Sequence, residues 1–245
     1  MKKVIGITGG VGGGKSTVLK ILREEYKAEI ILTDEVAHQL MQPQTACYEK
    51  LVAALGEEVL AEDGTFDKKK LGSLLFGDRE ISRIVNGIVH PTVFEAVQQQ
   101  IACSSNPFLV VESALLIEGG LKPLCDEIWY VYVSTQERVK RLYEQRGYSE
   151  VKSYSIIHNQ MSHSEFRRNS DRLIDNGSSR EYTRHQVREF MAELMQDHST
   201  KEKKLSKQES CEQVCATGAE SHGQGCASGQ ESCEHNHTPG QETKA

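Results

Sequence analysis

The chain has 245 residues, with 29 Lys and Arg against 35 Asp and Glu for a formal charge of -6, and 38% of its residues are hydrophobic. That length supports a core that folds without disulfides or a structural metal, and the mildly acidic balance gives no overall field to draw in nucleic acid or an anionic membrane. No stretch approaches the roughly 18 apolar residues of a membrane span, and Lys2 and Lys3 run into glycine rather than an apolar leader. A reducing, cytoplasmic setting is therefore expected for the seven cysteines.

In chain order, short β-branched runs alternate with helical patterns, which predicts an α/β fold with a parallel sheet. Five strands are expected, over residues 3–8, 29–34, 107–113, 127–134 and 171–176. The first, third and fourth are nearly continuous apolar runs, as strands covered on both faces should be. Helices are expected over 15–26, 135–146 and about 180–195, with a helix-rich insertion from about 35 to 102. That insertion is too long for a simple crossover and suits a subdomain for a second substrate. From residue 199 the chain contains no Phe, Tyr or Trp. Residues 199–245 are expected to be a disordered tail beyond a folded domain of 1–198.

Between the first strand and first helix stands GGVGGGKST, residues 9–17. Gly9, four residues, then Gly14, Lys15 and Ser16 make a Walker A pattern in the strand-to-helix context it requires. Gly12, Gly13 and Gly14 let the backbone close around phosphate oxygens, and the helix adds its positive end. Lys15 is placed to reach the β- and γ-phosphates, Ser16 to ligate Mg²⁺, and Thr17 to touch the α-phosphate. The finer spacing of Gly9, Gly12 and Gly14 resembles small-molecule and nucleoside monophosphate kinases more than regulatory GTPases. The chain contains no NKxD guanine motif. ATP is favoured over GTP, and a kinase over a switch.

Asp34 is expected at the C-terminal end of the second strand, where open α/β sheets bind ligands. A carboxylate there suits the proton acceptor of phosphoryl transfer; the alternative is a cap for the next helix.

Taken together, TGGVGGGKST (8–17), TDEVAH (33–38), VNGIVHP (85–91), ESALLIE (112–118) and DRLIDNG (171–177) resemble the dephospho-coenzyme A kinase family over about residues 3–195. The resemblance implies a three-layer P-loop kinase fold with a five-stranded parallel sheet, a helical acceptor-binding insertion and a lid over about 138–160. It further implies transfer of the ATP γ-phosphate to the ribose 3′-hydroxyl of dephospho-coenzyme A, with ATP and Mg²⁺ required. Carried over by position, Asp34 is the general base, and Lys15 and Ser16 belong to the nucleotide loop. Leu32 stands where the family has a first aspartate. His90 and Pro91 match an acceptor-side His-Pro pair, with an ordinary helix start as the alternative. Glu112 matches a Walker B-like acid near Mg²⁺, and Glu118 a substrate contact or a structural ion pair. Arg138, Lys140, Arg141 and Arg146 resemble the basic run of the lid, with Arg146 the leading candidate for the transferring phosphoryl and Arg141 beside it. Asn176 and Gly177 match the loop around the adenine, or form a plain Asn-Gly turn.

Two other readings are a nucleoside or nucleotide kinase, and a nucleotide-driven metal-delivery protein whose tail holds the cargo. Cys211, Cys215, Cys226 and Cys233 with His222, His235 and His237 invite the latter. Their spacing lacks the close paired ligands of a folded zinc site, so incidental thiols are the expected reading. Cys47, Cys103 and Cys125 are expected to be packing residues. The sequence sets no oligomeric state.

Overall fold

The computed structural model describes residues 2–196, which fall within a unit spanning Met1–His198. The tail expected over 199–245, with its cysteines and histidines, lies outside the described residues.

Five strands, β1 (Lys3–Thr8), β2 (Glu29–Leu32), β3 (Phe108–Glu112), β4 (Glu127–Tyr132) and β5 (Arg172–Asp175), form one parallel sheet in the order β2-β3-β1-β4-β5. Because β1 is flanked by β3 on one side and β4 on the other, a crevice opens beyond its C-terminal end, the switch point where such sheets take ligands. Side-chain alternation sends Ile5, Val110, Trp129 and Ile174 to one face and Val4, Leu109, Val111 and Ile128 to the other. On the first face they meet Val18, Ile21 and Leu22 of α1 (Lys15–Tyr26), with Val187, Met191 and Leu194 of a last helix over 180–196. On the second face they meet Val36 of α2 (Thr33–Leu40) and Val93 and Val97 of a long helix, α5 (Arg79–Cys103). These are the three expected layers.

Two strands stop two residues earlier than expected, and β3 and β5 stop one residue earlier. β2 ends at Leu32, because Thr33, Asp34 and Glu35 already form the first turn of α2, where the acids meet the positive end of the helix. β4 ends at Tyr132, and Ser134 instead caps α6 (Thr135–Arg146) by accepting from the Glu137 amide. The insertion consists of α2, α3 (Ala46–Leu55), α4 (Lys68–Gly77) and α5, and buries its own cluster of Cys47, Leu51 and Val85. Pro91 lies inside α5, not at a helix start. It removes one backbone donor, yet Val85, Val89, Val93 and Val97 continue the apolar stripe across it, and that packing carries the helix through. After α6 come α7 (Glu150–His158) and α8 (His163–Arg168), the latter opened by a Ser162–Glu165 capping box. No helix among the described residues is long and apolar enough to cross a membrane.

Candidate active site

The sequence places a run of small residues where β1 must turn into α1. Gly14, the cap of α1, has φ 79°, and a Cβ there would stand 2.2 Å from Nδ2 of Asn176. Glycine is required at this point twice over, by backbone conformation and by contact. The loop turns through the Gly13 amide donating to the Gly10 carbonyl at 3.0 Å, and leads into a cavity of about 690 Å³. Gly12, Gly14, Lys15, Ser16 and Thr17 line the cavity on the loop side, Asp34 and Glu112 across from it, and Arg141 and Arg146 on the α6 side. Gly13, within the loop, is buried and does not line the cavity.

Three sets of contacts from distant parts of the chain hold that loop. Nδ2 of Asn176, just past β5, donates to the carbonyls of Gly13 (2.9 Å) and Gly14 (3.3 Å), while its Oδ1 accepts from the Thr183 hydroxyl at 2.9 Å. The Asn176 amide donates to the Tyr132 carbonyl, and its own carbonyl accepts from Arg141 Nη2, both at 2.9 Å. Asn176 thus braces the loop while lining the cavity itself, together with Ser178 and Arg180. Asn176→Ala orphans the two loop carbonyls, so it is expected to destabilise the fold by about 1–3 kcal/mol. Thermal melts measure this, and nucleotide titration should show weaker binding in the same variant.

On the opposite side, Arg138 Nε donates to the Val11 carbonyl at 2.8 Å. Gln160 Oε1 accepts from both the Val11 amide (3.0 Å) and Arg138 Nη2 (2.5 Å). Gln160 was not legible in the sequence, and Arg138 stood there only as one member of a basic run. That run divides in the structure. Arg138 is buried, whereas Arg141 pairs with Glu137 at 3.0 Å and Arg146 is exposed, with no hydrogen bond or ion pair among the described residues.

Third, Lys15 Nζ donates to the Gly9 carbonyl at 2.9 Å and pairs with Glu112 Oε1 at 3.4 Å. Glu112 is 15% exposed, and its pKa is raised: burial outweighs the attraction of Lys15, and the nearby Asp34 adds repulsion. An acid whose folded pKa exceeds its unfolded value weakens the fold once it ionises. Glu112→Gln is therefore expected to melt with wild type at acid pH. It should melt above wild type once pH has risen past the folded-state pKa of Glu112. Thermal melts across the pH range check the sign.

Asp34, in the first turn of α2, is exposed and lines the cavity. It does not cap the helix, since Leu32 occupies the cap position without a side-chain bond. Leu32, in place of the family's aspartate, also lines the cavity. His90 and Pro91 sit midway along α5, and neither they nor the exposed Glu118 line this cavity; Glu118 makes no ion pair among the described residues. A second cavity, of about 220 Å³, lies in the insertion and is lined by His38, Met41, Gln42, Thr65, Phe66, Lys68 and Leu71. Cys47 is buried in the insertion core, and burial pushes the Cys125 thiol up to about 12, which suits packing rather than reactivity.

A phosphate loop at the switch point of a parallel sheet, facing a carboxylate on the helix that opens an insertion, defines the class as a P-loop kinase of small molecules. Within that class, the model of CoaE, dephospho-CoA kinase, matches residues 3–181, and the chain belongs to this family. The dephospho-CoA kinase of Carboxydothermus hydrogenoformans is 38% identical over 187 residues, covering 75% of this chain and 90% of that protein. That of Geobacter sulfurreducens is 34% identical over 192 residues, covering 77% and 97%. Among solved structures, TT1252 from Thermus thermophilus superposes with a TM-score of 0.69 at 27% identity, covering 79% of this chain and 98% of that one. The dephospho-CoA kinase from Campylobacter jejuni shares the fold with a TM-score of 0.60 at 22% identity, over 81% and 100%.

Proposed function

We propose that this protein transfers the γ-phosphoryl group of ATP to the ribose 3′-hydroxyl of dephospho-CoA, giving CoA and ADP, and that Asp34 is the proton acceptor. One observation carries the reading: the Asp34 carboxylate lines the same cavity as Lys15 and Ser16, on the helix that leads into the insertion. Family membership supplies the acceptor. In the reaction, the 3′-oxygen bonds to the γ-phosphorus as the bond from that phosphorus to the β–γ bridging oxygen breaks. The hydroxyl proton passes to the Asp34 carboxylate, and ADP departs with the bridging oxygen.

Phosphoryl transfer asks the protein chiefly for alignment and for charge at the reacting oxygens. Lys15 supplies charge at the β- and γ-phosphates, the loop amides surround them, and Thr17 is placed for the α-phosphate. Arg146, on the cavity wall and without a side-chain partner among the described residues, serves the transferring group, whereas Arg141 is held by Glu137 and the Asn176 carbonyl. The donors lining the cavity near Lys15 are the hydroxyls of Ser16 and Thr17 and the carboxylates of Asp34 and Glu112, all hard oxygen, and they fit Mg²⁺. Ser16 would ligate the ion and Glu112 would hold its waters. Held there, Mg²⁺ would supply positive charge to the phosphates.

Asp34 and His38 lie four residues apart on α2, hence on one side of it, and His38 lines the second cavity. An acceptor whose hydroxyl meets Asp34 extends along this side into the insertion, its pantetheine arm against Met41, Phe66 and Leu71 and its diphosphate toward Lys68. Lys68 begins α4, where an acid is compatible with the helix dipole. Lys68→Glu should therefore fold, and should raise KM for dephospho-CoA about tenfold with kcat and KM for ATP unchanged. Steady-state kinetics checks it. Cytoplasmic ATP is the natural phosphoryl source for this reaction.

The test of the reading is ADP release with Mg²⁺ and ATP in the presence of dephospho-CoA, AMP, CMP, uridine, pantothenate or no acceptor. Release dependent on dephospho-CoA supports it. Release with a nucleoside or nucleotide instead would keep the class and discard the acceptor.

A further inference from the structure

The described residues pair their partly buried charges with opposite charges in several places: Lys15 with Glu112, Arg141 with Glu137, Arg172 with Glu127. Arg138 departs from this. It is only 8% exposed, yet its guanidinium meets no carboxylate among the described residues. Its hydrogen-bond partners are two neutral oxygens, the Val11 carbonyl and Gln160 Oε1. Glu137, its sequence neighbour, is committed to Arg141. Tyr130, the ionisable group that acts on it, stays neutral because burial pushes its hydroxyl up to about 12. A desolvated cation without a counter-charge is costly, and proteins retain one where an anion comes to it.

The position of Arg138 indicates which anion. The guanidinium lies flat against the phosphate loop: a Cβ on Gly10 would stand 2.2 Å from its Nη2, and its Nε and Nη2 fix the Val11 peptide directly and through Gln160. Gly10 and Val11 line the nucleotide cavity, whereas Arg138 does not; it acts from beneath the loop. A positive charge in a low-dielectric layer directly behind a phosphate cradle raises the potential in front of it.

We propose that Arg138 is a positioning residue for the phosphates of the nucleotide. It fixes the Val11 peptide that shapes the loop, and its charge, left without a carboxylate among the described residues, is balanced by the phosphate anions when ATP binds. The proposal rests on the ATP-binding reading of the cavity and assigns a task to a residue behind that cavity.

Calorimetric titration of ATP and of adenosine into wild type, Arg138→Gln and Arg138→Lys separates the possibilities. Gln retains a donor for Val11 without the charge, and Lys retains the charge without the fork. Arg138→Gln should weaken ATP binding about tenfold or more while adenosine binding is unchanged, and Arg138→Lys should keep ATP binding within about threefold of wild type. The proposal is overturned if Arg138→Gln binds ATP as wild type does, if Lys loses as much as Gln, or if adenosine loses the same factor as ATP. Failure of both variants to fold would make Arg138 a structural residue and would also overturn it. Wild-type protein that binds ATP no better than adenosine would instead remove the nucleotide reading on which it stands.

Discussion

Asp34→Asn is expected to lower kcat by about 10²–10⁴-fold while leaving the Kd for ATP unchanged. The two side chains match in size, Asp34 is exposed in the first turn of α2, and no cap or ion pair among the described residues depends on it. The fold should therefore lose no more than the interaction of one first-turn acid with the helix dipole, about 0.3–1 kcal/mol. The amide can still orient an acceptor hydroxyl but takes no proton from it, so the loss falls on the chemical step. Lys15, Ser16 and the loop carbonyls braced by Asn176 are untouched, which is why ATP affinity is the internal control. A variant with wild-type kcat would remove Asp34 as proton acceptor. One that lost ATP affinity in step with kcat would make Asp34 part of the nucleotide site instead.

The second large effect belongs to Lys15. Lys15→Met deletes the cation at the reacting phosphates and should cost about 10²–10³-fold in kcat/KM, the scale found when one preorganised charge-stabilising group is removed. It should also lower Tm, because Glu112 then stands in a mostly buried site without its only ion-pair partner among the described residues. The double variant Lys15→Met with Glu112→Gln separates these effects: Tm should return while activity stays lost. If Tm does not recover, the Lys15–Glu112 pair is not what the single variant breaks.

Much of this structure was written locally. α1 begins, and α6 begins and ends, where sequence signals stand: Gly14 precedes α1, Ser134 caps α6, and Gly147 closes α6 in the left-handed conformation, whereas α1 is closed by Lys27, which is left-handed without being a glycine. The phosphate loop was equally legible, because its glycines, lysine and serine are consecutive. What sequence left out is long-range. The bond from Arg138 to Val11 spans 127 residues and that from Asn176 to Gly13 spans 163, and neither leaves a local pattern. For that reason Asn176 was legible as a residue of the nucleotide cavity, which it lines, but not as a brace for the loop, and Arg138 was legible only as one member of a basic run. The strand ends slipped for a simpler reason. Thr33 is a good strand residue, yet it starts α2 because the acids that follow it suit a first turn. Pro91 misled in the same way, since a stripe of buried valines on both sides outweighed one missing donor.

The most direct test of the central claim is the position of the new phosphate. Phosphorus NMR of dephospho-CoA incubated with the protein, ATP and Mg²⁺ should show a phosphomonoester coupled to the ribose 3′ proton, formed in step with ADP. ADP accompanied by inorganic phosphate and unmodified dephospho-CoA, or a phosphoryl group on any other hydroxyl, would contradict the account.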